Sequence, residues 1–483
     1  MLDCAWFETD KTFIDGEWVK PLSGVRIDIE NPSDGEIIGE IACGSKADID
    51  CAVDAAKASM AGEWGCMPAD ERGRILLAIS RSVERRLKEL ARLESIDVGK
   101  PLRQSMADAV ALARYMEFYG GAADKISGQT LPFKHGYTVY TLREPHGVTA
   151  HIIPWNYPMQ IIGRSIGAAL AAGNACVLKP SEEACLTALA FADIAREAGL
   201  PHGALNVVPG LGEDAGAALA AHPSVSHISF TGSLDAGRKI QSMAAENVVP
   251  VTLELGGKSP QILFADADLD AALPFLVGAG IQNAGQTCSA SSRILVEDSL
   301  FGEVLEKMAC RYAELAAGPA LRDLDLGPLI SRRQRDVVDS YIRLGGDLEI
   351  AAKGKIAPGS PERGHYVEPT LFAETRPDHV LAQEEIFGPI QNLIPFRDED
   401  EAVAIANGTG YGLVAGIWTR DGARQMRLAR KIEAGQVYIN NYGAGGGIEL
   451  PFGGIGKSGH GREKGFEALY GFTRLKTVAA CHV

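Results

Sequence analysis

The 483-residue sequence has no C-x-x-C pair, no Cys/His cluster at zinc spacing, no basic stripe and no apolar run of membrane length. Each absence removes a class of function. Protein-bound zinc needs sulfur and imidazole ligands at short, regular spacings, so no metal is expected. Nine cysteines, scattered from Cys4 to Cys481, make an odd total with no disulfide framework. That usage points to a reduced, cytoplasmic protein. The net charge of −15 argues against nucleic acid, whose phosphates are bound by clustered cations. The most apolar long stretch, residues 165–178, is shorter than the ~20 residues needed to cross a bilayer. The N-terminus lacks the basic start and apolar run of a signal peptide, so no membrane partner is expected.

What is present is the composition of a globular chain, 46% apolar and 23% charged, long enough for two or three domains. Asp15-Gly16 and Asp34-Gly35 each sit between short β-prone runs and predict two hairpins. Residues 47–125 turn helical, with apolar positions three or four apart. YTVYTL, residues 137–142, alternates apolar and polar and predicts an extension that pairs elsewhere, another subunit being one candidate. Then VTAHII, ACVL, LNVV, VSHISF and VTLEL follow one another about every twenty-five residues, with Ala-rich helical segments between them. This rhythm predicts an α/β fold whose parallel sheet has helices on both faces and nucleotides at the carboxyl ends of its strands. After Gly257 the alternation continues as a second α/β unit.

Four places suggest chemistry. Gly232 and Ser233 end a strand and open a helix, where free N–H groups suit a phosphate, although a plain Ser cap explains the same residues. Cys288, in GQTCSAS, lies among small polar residues, unlike the packed Cys176 of NACVL; a structural thiol is the alternative. Glu254 is a carboxylate where a buried strand meets a double glycine, or else a strand-end Glu reaching solvent. Asn156, in IIPWNYP, is held between prolines with its amide available as a donor. A thiolate, a base for water, an oxyanion donor and a phosphate site together suit oxidation through a thioester.

These segments, with FIDGEW, KPSE, EEIFGP, PFGGIGKSG and GREKG in the same order, resemble the aldehyde dehydrogenase superfamily in its hydrolytic NAD(P)-dependent branch. The resemblance implies a Rossmann-type dinucleotide-binding domain over 1–125 and 145–256, a catalytic domain over 257–455, and a β oligomerisation arm over 126–144 and 470–483. It implies a homodimer or homotetramer acting on a small-molecule aldehyde. By resemblance, Cys288 is the nucleophile, Asn156 and the Cys288 N–H hold the oxyanion, and Glu254 activates the hydrolytic water. Lys179, Ser181 and Glu182 match the adenosine-ribose site, Gly232 and Ser233 the pyrophosphate site, and Glu385 and Phe387 the nicotinamide site. Ile153 and Trp155 would line the same cleft. The cofactor implied is NAD, with NADP as the alternative, because the Glu182 carboxylate would repel a 2′-phosphate.

Tyr157 and Arg164 are expected in the substrate pocket. Arg164 stands where many relatives have tryptophan, and it would grip a carboxylated or hydrogen-bonding far end. The glycines 443 and 445–447 leave room for a bulky, aromatic aldehyde. Other readings are a succinic-semialdehyde-type enzyme, a CoA-acylating relative (against which Glu254 counts), a cysteine hydrolase, and a catalytically silent protein with the same fold. His151 lies inside a β-run, where a core role suits it better than a Cys/His pairing.

Overall fold

The computed structural model describes residues 5–482. Its first sheet has eight strands. Five are the β-branched runs of the sequence: Val148–Ile152, Ala175–Lys179, Leu205–Val207, His227–Thr231 and Val251–Glu254. All five are parallel, and the sheet places Val148–Ile152 at the centre, with the next two strands to one side and the last two to the other. The order reverses between Val148–Ile152 and His227–Thr231, and the carboxyl ends of those strands open a crevice there. The two hairpins also form, with Asp15 and Gly16 both at positive φ, the conformation a two-residue I′ turn demands. The hairpin Thr12–Val19 extends this sheet antiparallel beyond Leu205–Val207.

At the opposite edge, Gly459–His460 returns from near the C-terminus to pair antiparallel with Leu253 and Glu254. Residues 459–460, within the stretch 456–469 that the domain expectation left unassigned, therefore complete the first sheet. The helical stretch differs from its sequence reading in one place. Within the stretch 47–125, the continuous apolar rhythm of residues 73–94 breaks at Arg86 into helices Ala69–Arg85 and Leu87–Val98. Both halves keep the same apolar spacing, so periodicity cannot show the break.

The second sheet has seven strands and is parallel except for Ile350–Lys353 at its edge. Its centre is Pro260–Leu263, Arg293–Glu297 and Ile390–Phe396, with the helix Leu269–Ile281 linking the first two. The third sheet resolves where YTVYTL pairs. Tyr137–Pro145 lies antiparallel to Thr473–Cys481 of the same chain, matched residue by residue from Thr473↔Pro145 to Cys481↔Tyr137. No helix among the described residues is long and apolar enough to cross a membrane.

Candidate active site

A cavity of about 660 Å³ opens at the carboxyl ends of the first sheet and is closed from the other side by residues of the second. Its wall is set by a double glycine. Gly256 and Gly257 follow the strand that ends in Glu254. A Cβ on Gly256 would fall 1.9 Å from a Glu385 carboxylate oxygen, and one on Gly257 would fall 2.4 Å from the Cys288 carbonyl oxygen. Only glycine lets these three segments meet. Glu385 accepts the Gly257 N–H at 3.0 Å, and burial pushes its carboxyl up to about 7.

Cys288 follows the helix Leu269–Ile281 and one turn, Gln282–Gly285, in which Asn283 and Ala284 take left-handed φ of 49° and 53°. Such strain is tolerated only where surroundings dictate it. Here the turn is pinned by Asn283 Nδ2 donating to the Asn156 carbonyl at 3.1 Å. Asn156 Nδ2 donates back to the Gln286 carbonyl at 3.0 Å, so the amide beside Cys288 has a fixed orientation and one N–H left for a ligand. Among the described cysteines, Cys288 is the one that lines the cavity. Cys176, in contrast, is sealed in the middle of a strand, where burial pushes its thiol up to about 12. Burial pushes the Cys288 thiol up to about 11, opposed chiefly by Arg164.

Glu254 lines the cavity, is buried, and has no hydrogen-bond partner on either carboxylate oxygen. Burial, then the neighbouring Glu463, holds it well above the ordinary carboxylate range. A buried carboxyl left without donors is poised to take up a proton. Trp155 and Phe387 meet edge to face at 5.4 Å on the same wall, and Gly232 and Ser233 lie nearby. Ser233 also caps its helix, its Oγ accepting the Ala236 N–H at 3.3 Å. Lys179 and Glu182 form an ion pair at 2.9 Å at the neighbouring strand end, beside Ser181. These three residues flank the cavity without lining it.

Two expectations need revision. Ile153 is not among the lining residues; its side chain packs into the core of the first sheet. Arg164 does line the cavity, yet its charge is not free. Its Nε forms a buried ion pair with Glu463, which also accepts from Ser229 Oγ at 3.0 Å. Arg164 NH2 donates to Thr231 Oγ1 at 3.4 Å. An arginine so engaged cannot serve as the open receptor for a substrate carboxylate. The pair is also far from the surface, since Glu463 is only 1% exposed. Tyr157 stands in the lining as expected, its ring 3.9 Å from the Lys100 ammonium. His151 is fully enclosed, held to Thr149 and Ser165, and burial pushes its imidazole down to about 3.

Sequence reasoning passed over Glu463 and Lys464. Both lie in GREKG, and the signal was a charged pair inside a glycine-bounded turn.

The pattern of the aldehyde dehydrogenase family matches residues 18–478. The chain belongs to the aldehyde dehydrogenase family. An Arabidopsis thaliana aldehyde dehydrogenase, family 2 member B4, is 42% identical over 96% of this chain and 87% of its own length. A crystal structure from Burkholderia cenocepacia, assigned to the aldehyde dehydrogenases, is 60% identical with a TM-score of 0.97, covering 98% of this chain and all of that one. The NAD+ complex of the Bacillus cereus aldehyde dehydrogenase is 37% identical, with a TM-score of 0.95 over 98% and 97% of the two chains.

Proposed function

We propose that the protein oxidises an aldehyde to a carboxylic acid with NAD as acceptor, through a thioester on Cys288 that water hydrolyses. One observation carries this reading. A thiol and a partnerless buried carboxyl open onto one cavity whose wall also holds the fixed amide of Asn156. The thiolate of Cys288 attacks the aldehyde carbon, and the oxyanion is received by Asn156 Nδ2 and the Cys288 N–H. Glu254 then takes the proton of the water that cleaves the thioester. With the base present, water rather than CoA releases the acid.

The nucleotide would lie in the crevice where the strand order reverses, and the similar Bacillus cereus enzyme is an NAD+ complex. Lys179, Ser181 and Glu182 would hold the adenosine ribose, Gly232 and Ser233 the pyrophosphate, and Glu385 and Phe387 the nicotinamide riboside. When bound there, NAD supplies the hydride acceptor. The Glu182 carboxylate disfavours a 2′-phosphate, which supports NAD over NADP. Gly443 and Gly446 line the cavity, and a Cβ on either would meet no atom within 4 Å, so a bulky aldehyde has room.

The two large sheets support a dinucleotide-binding domain over 1–125 and 145–256 and a catalytic domain over 257–455. The unpaired outer edge of Thr473–Cys481 supports a homodimer or homotetramer built on the arm. Free thiols at Cys43, Cys51, Cys66, Cys176, Cys185, Cys288 and Cys310 fit the cytoplasm.

Incubation with NAD and a panel of aliphatic, aromatic and carboxylated aldehydes tests the reading through NADH absorbance. Wild type forms NADH with at least one class, and Cys288→Ala forms none. NADH formation by Cys288→Ala at the wild-type rate would overturn the role of Cys288.

A further inference from the structure

Four charged or ionisable side chains act on Cys288 across the cavity, Arg164, Glu385, Glu254 and Lys464, and of the two cations Lys464 is the one without an ion pair among the described residues. Arg164 is matched by Glu463. Glu254 is held towards its neutral form by burial and by Glu463. Lys464 lines the cavity, and its ammonium makes no hydrogen bond or ion pair among the described residues, lying 5.1 Å from the centre of the Phe452 ring. Burial, followed by the charge of Arg164, pushes it down to about 8, so it is still mostly an ammonium at neutral pH.

The backbone that presents it is strained. Lys464 takes φ 59° and ψ 168°, a region all but reserved for glycine. Neighbouring residues clamp it there. Glu463 and Phe452 exchange both backbone hydrogen bonds, at 2.7 and 2.8 Å, and the Gly465 N–H donates to the Ile448 carbonyl at 2.9 Å. A glycine would fit this position without strain, yet the chain carries its most flexible cation here, aimed into the cavity.

We propose that Lys464 is the anion receptor of the substrate pocket, and that the substrate is an aldehyde carrying a carboxylate at its far end. The inference rests on the reading above that this cavity holds the aldehyde. A single ammonium with three donors, its neighbour Arg164 already paired with Glu463, suits a monoanion better than a phosphate. Of the groups acting on the Cys288 thiol, Lys464 ranks behind Arg164, Glu385 and Glu254, although Cys288 comes first among the acidic groups acting on Lys464. The open side at Gly443 and Gly446 leaves space for a chain or ring between aldehyde and carboxylate.

The test compares kcat/KM for 4-carboxybenzaldehyde against 4-methylbenzaldehyde, and for succinic semialdehyde against butanal. A charge-assisted contact predicts that wild type prefers the carboxylated member of at least one pair by about tenfold to a hundredfold. Lys464→Met collapses that ratio, mainly through KM, and Lys464→Arg keeps part of it. Lys464→Gly, which removes both charge and strain, provides a folded variant that must lose the preference as well. The wild-type ratio fades as pH rises through about 8, where the ammonium is lost. Equal loss on both members of a pair, or a wild-type ratio near one in both pairs, would overturn the proposal. If no aldehyde yields NADH, it is the oxidation reading that fails; if neutral aldehydes react without a carboxylate preference, only the receptor fails.

Discussion

Arg164 and Glu463 form an ion pair through Nε and Oε2 with side-chain exposures of 7% and 1%. Removing one partner of such a pair leaves a buried charge uncompensated, at a cost of about 3–5 kcal/mol. Arg164→Leu should therefore lower the thermal unfolding midpoint. It should also reduce kcat/KM for carboxylated and neutral aldehydes alike, because the stranded Glu463 acts on Glu254. A loss confined to the carboxylated aldehydes would return the receptor role to Arg164.

Glu254→Gln separates the two halves of the reaction. Hydride leaves before water is needed, so this variant should release NADH in a burst near one per active site and then stall at the thioester. In wild type the raised pKa of Glu254 sets the direction of the pH profile. The base keeps its proton to higher pH than an ordinary carboxylate, so a deacylation-limited kcat climbs as pH rises. Wild-type turnover by Glu254→Gln, or a kcat that falls from neutral to alkaline pH, would remove Glu254 from the base role.

Much of this site was legible in the sequence, and the missing parts share a cause. Cys288, Glu254 and Asn156 stand in short segments whose composition is odd for packing, and each lines the cavity or its wall. The parallel strands were legible as well, because β-branched runs recur between Ala-rich helices. What local pattern could not carry was pairing across the chain. Arg164 looks like a free cation until Glu463, near the other end of the sequence, is brought beside it. Tyr137–Pro145 likewise looks partnerless until Thr473–Cys481 lies along it. Lys464 escaped for a different reason, since its message is a backbone angle.

Cofactor choice is predicted to turn on Glu182. Its carboxylate is tied to the Lys179 ammonium at 2.9 Å, which holds it below the ordinary carboxylate range despite burial and keeps it anionic at neutral pH. Wild type should favour NAD over NADP in kcat/KM, and Glu182→Gln should narrow the gap by about tenfold or more as the repulsion of the 2′-phosphate is relieved. An unchanged ratio in Glu182→Gln would place the discrimination elsewhere.

Stability is predicted to depend on a second buried cluster, behind Tyr157. Lys100 Nζ meets Glu94 at 2.5 Å and also contacts Asp108, and the Lys100 side chain is fully enclosed. Lys100→Met leaves two carboxyls facing each other in the core, and should cost about 3–5 kcal/mol in urea unfolding. Adding Glu94→Gln and Asp108→Asn should recover much of that loss. A Lys100→Met protein as stable as wild type would show that the cluster is held by other means.

The edge strand Gly459–His460 also has a consequence for how the chain is made. Ser458 Oγ donates to the Gly256 carbonyl at 2.7 Å across 202 residues of sequence. At roughly 5–20 residues per second, the strand bearing Glu254 waits on the order of ten to forty seconds on the ribosome before its outer neighbour is synthesised. Throughout that interval its row of peptide groups is an open template for another nascent chain. Premature termination shortly before residue 458 would release a polypeptide with nearly every catalytic side chain present and that edge permanently bare.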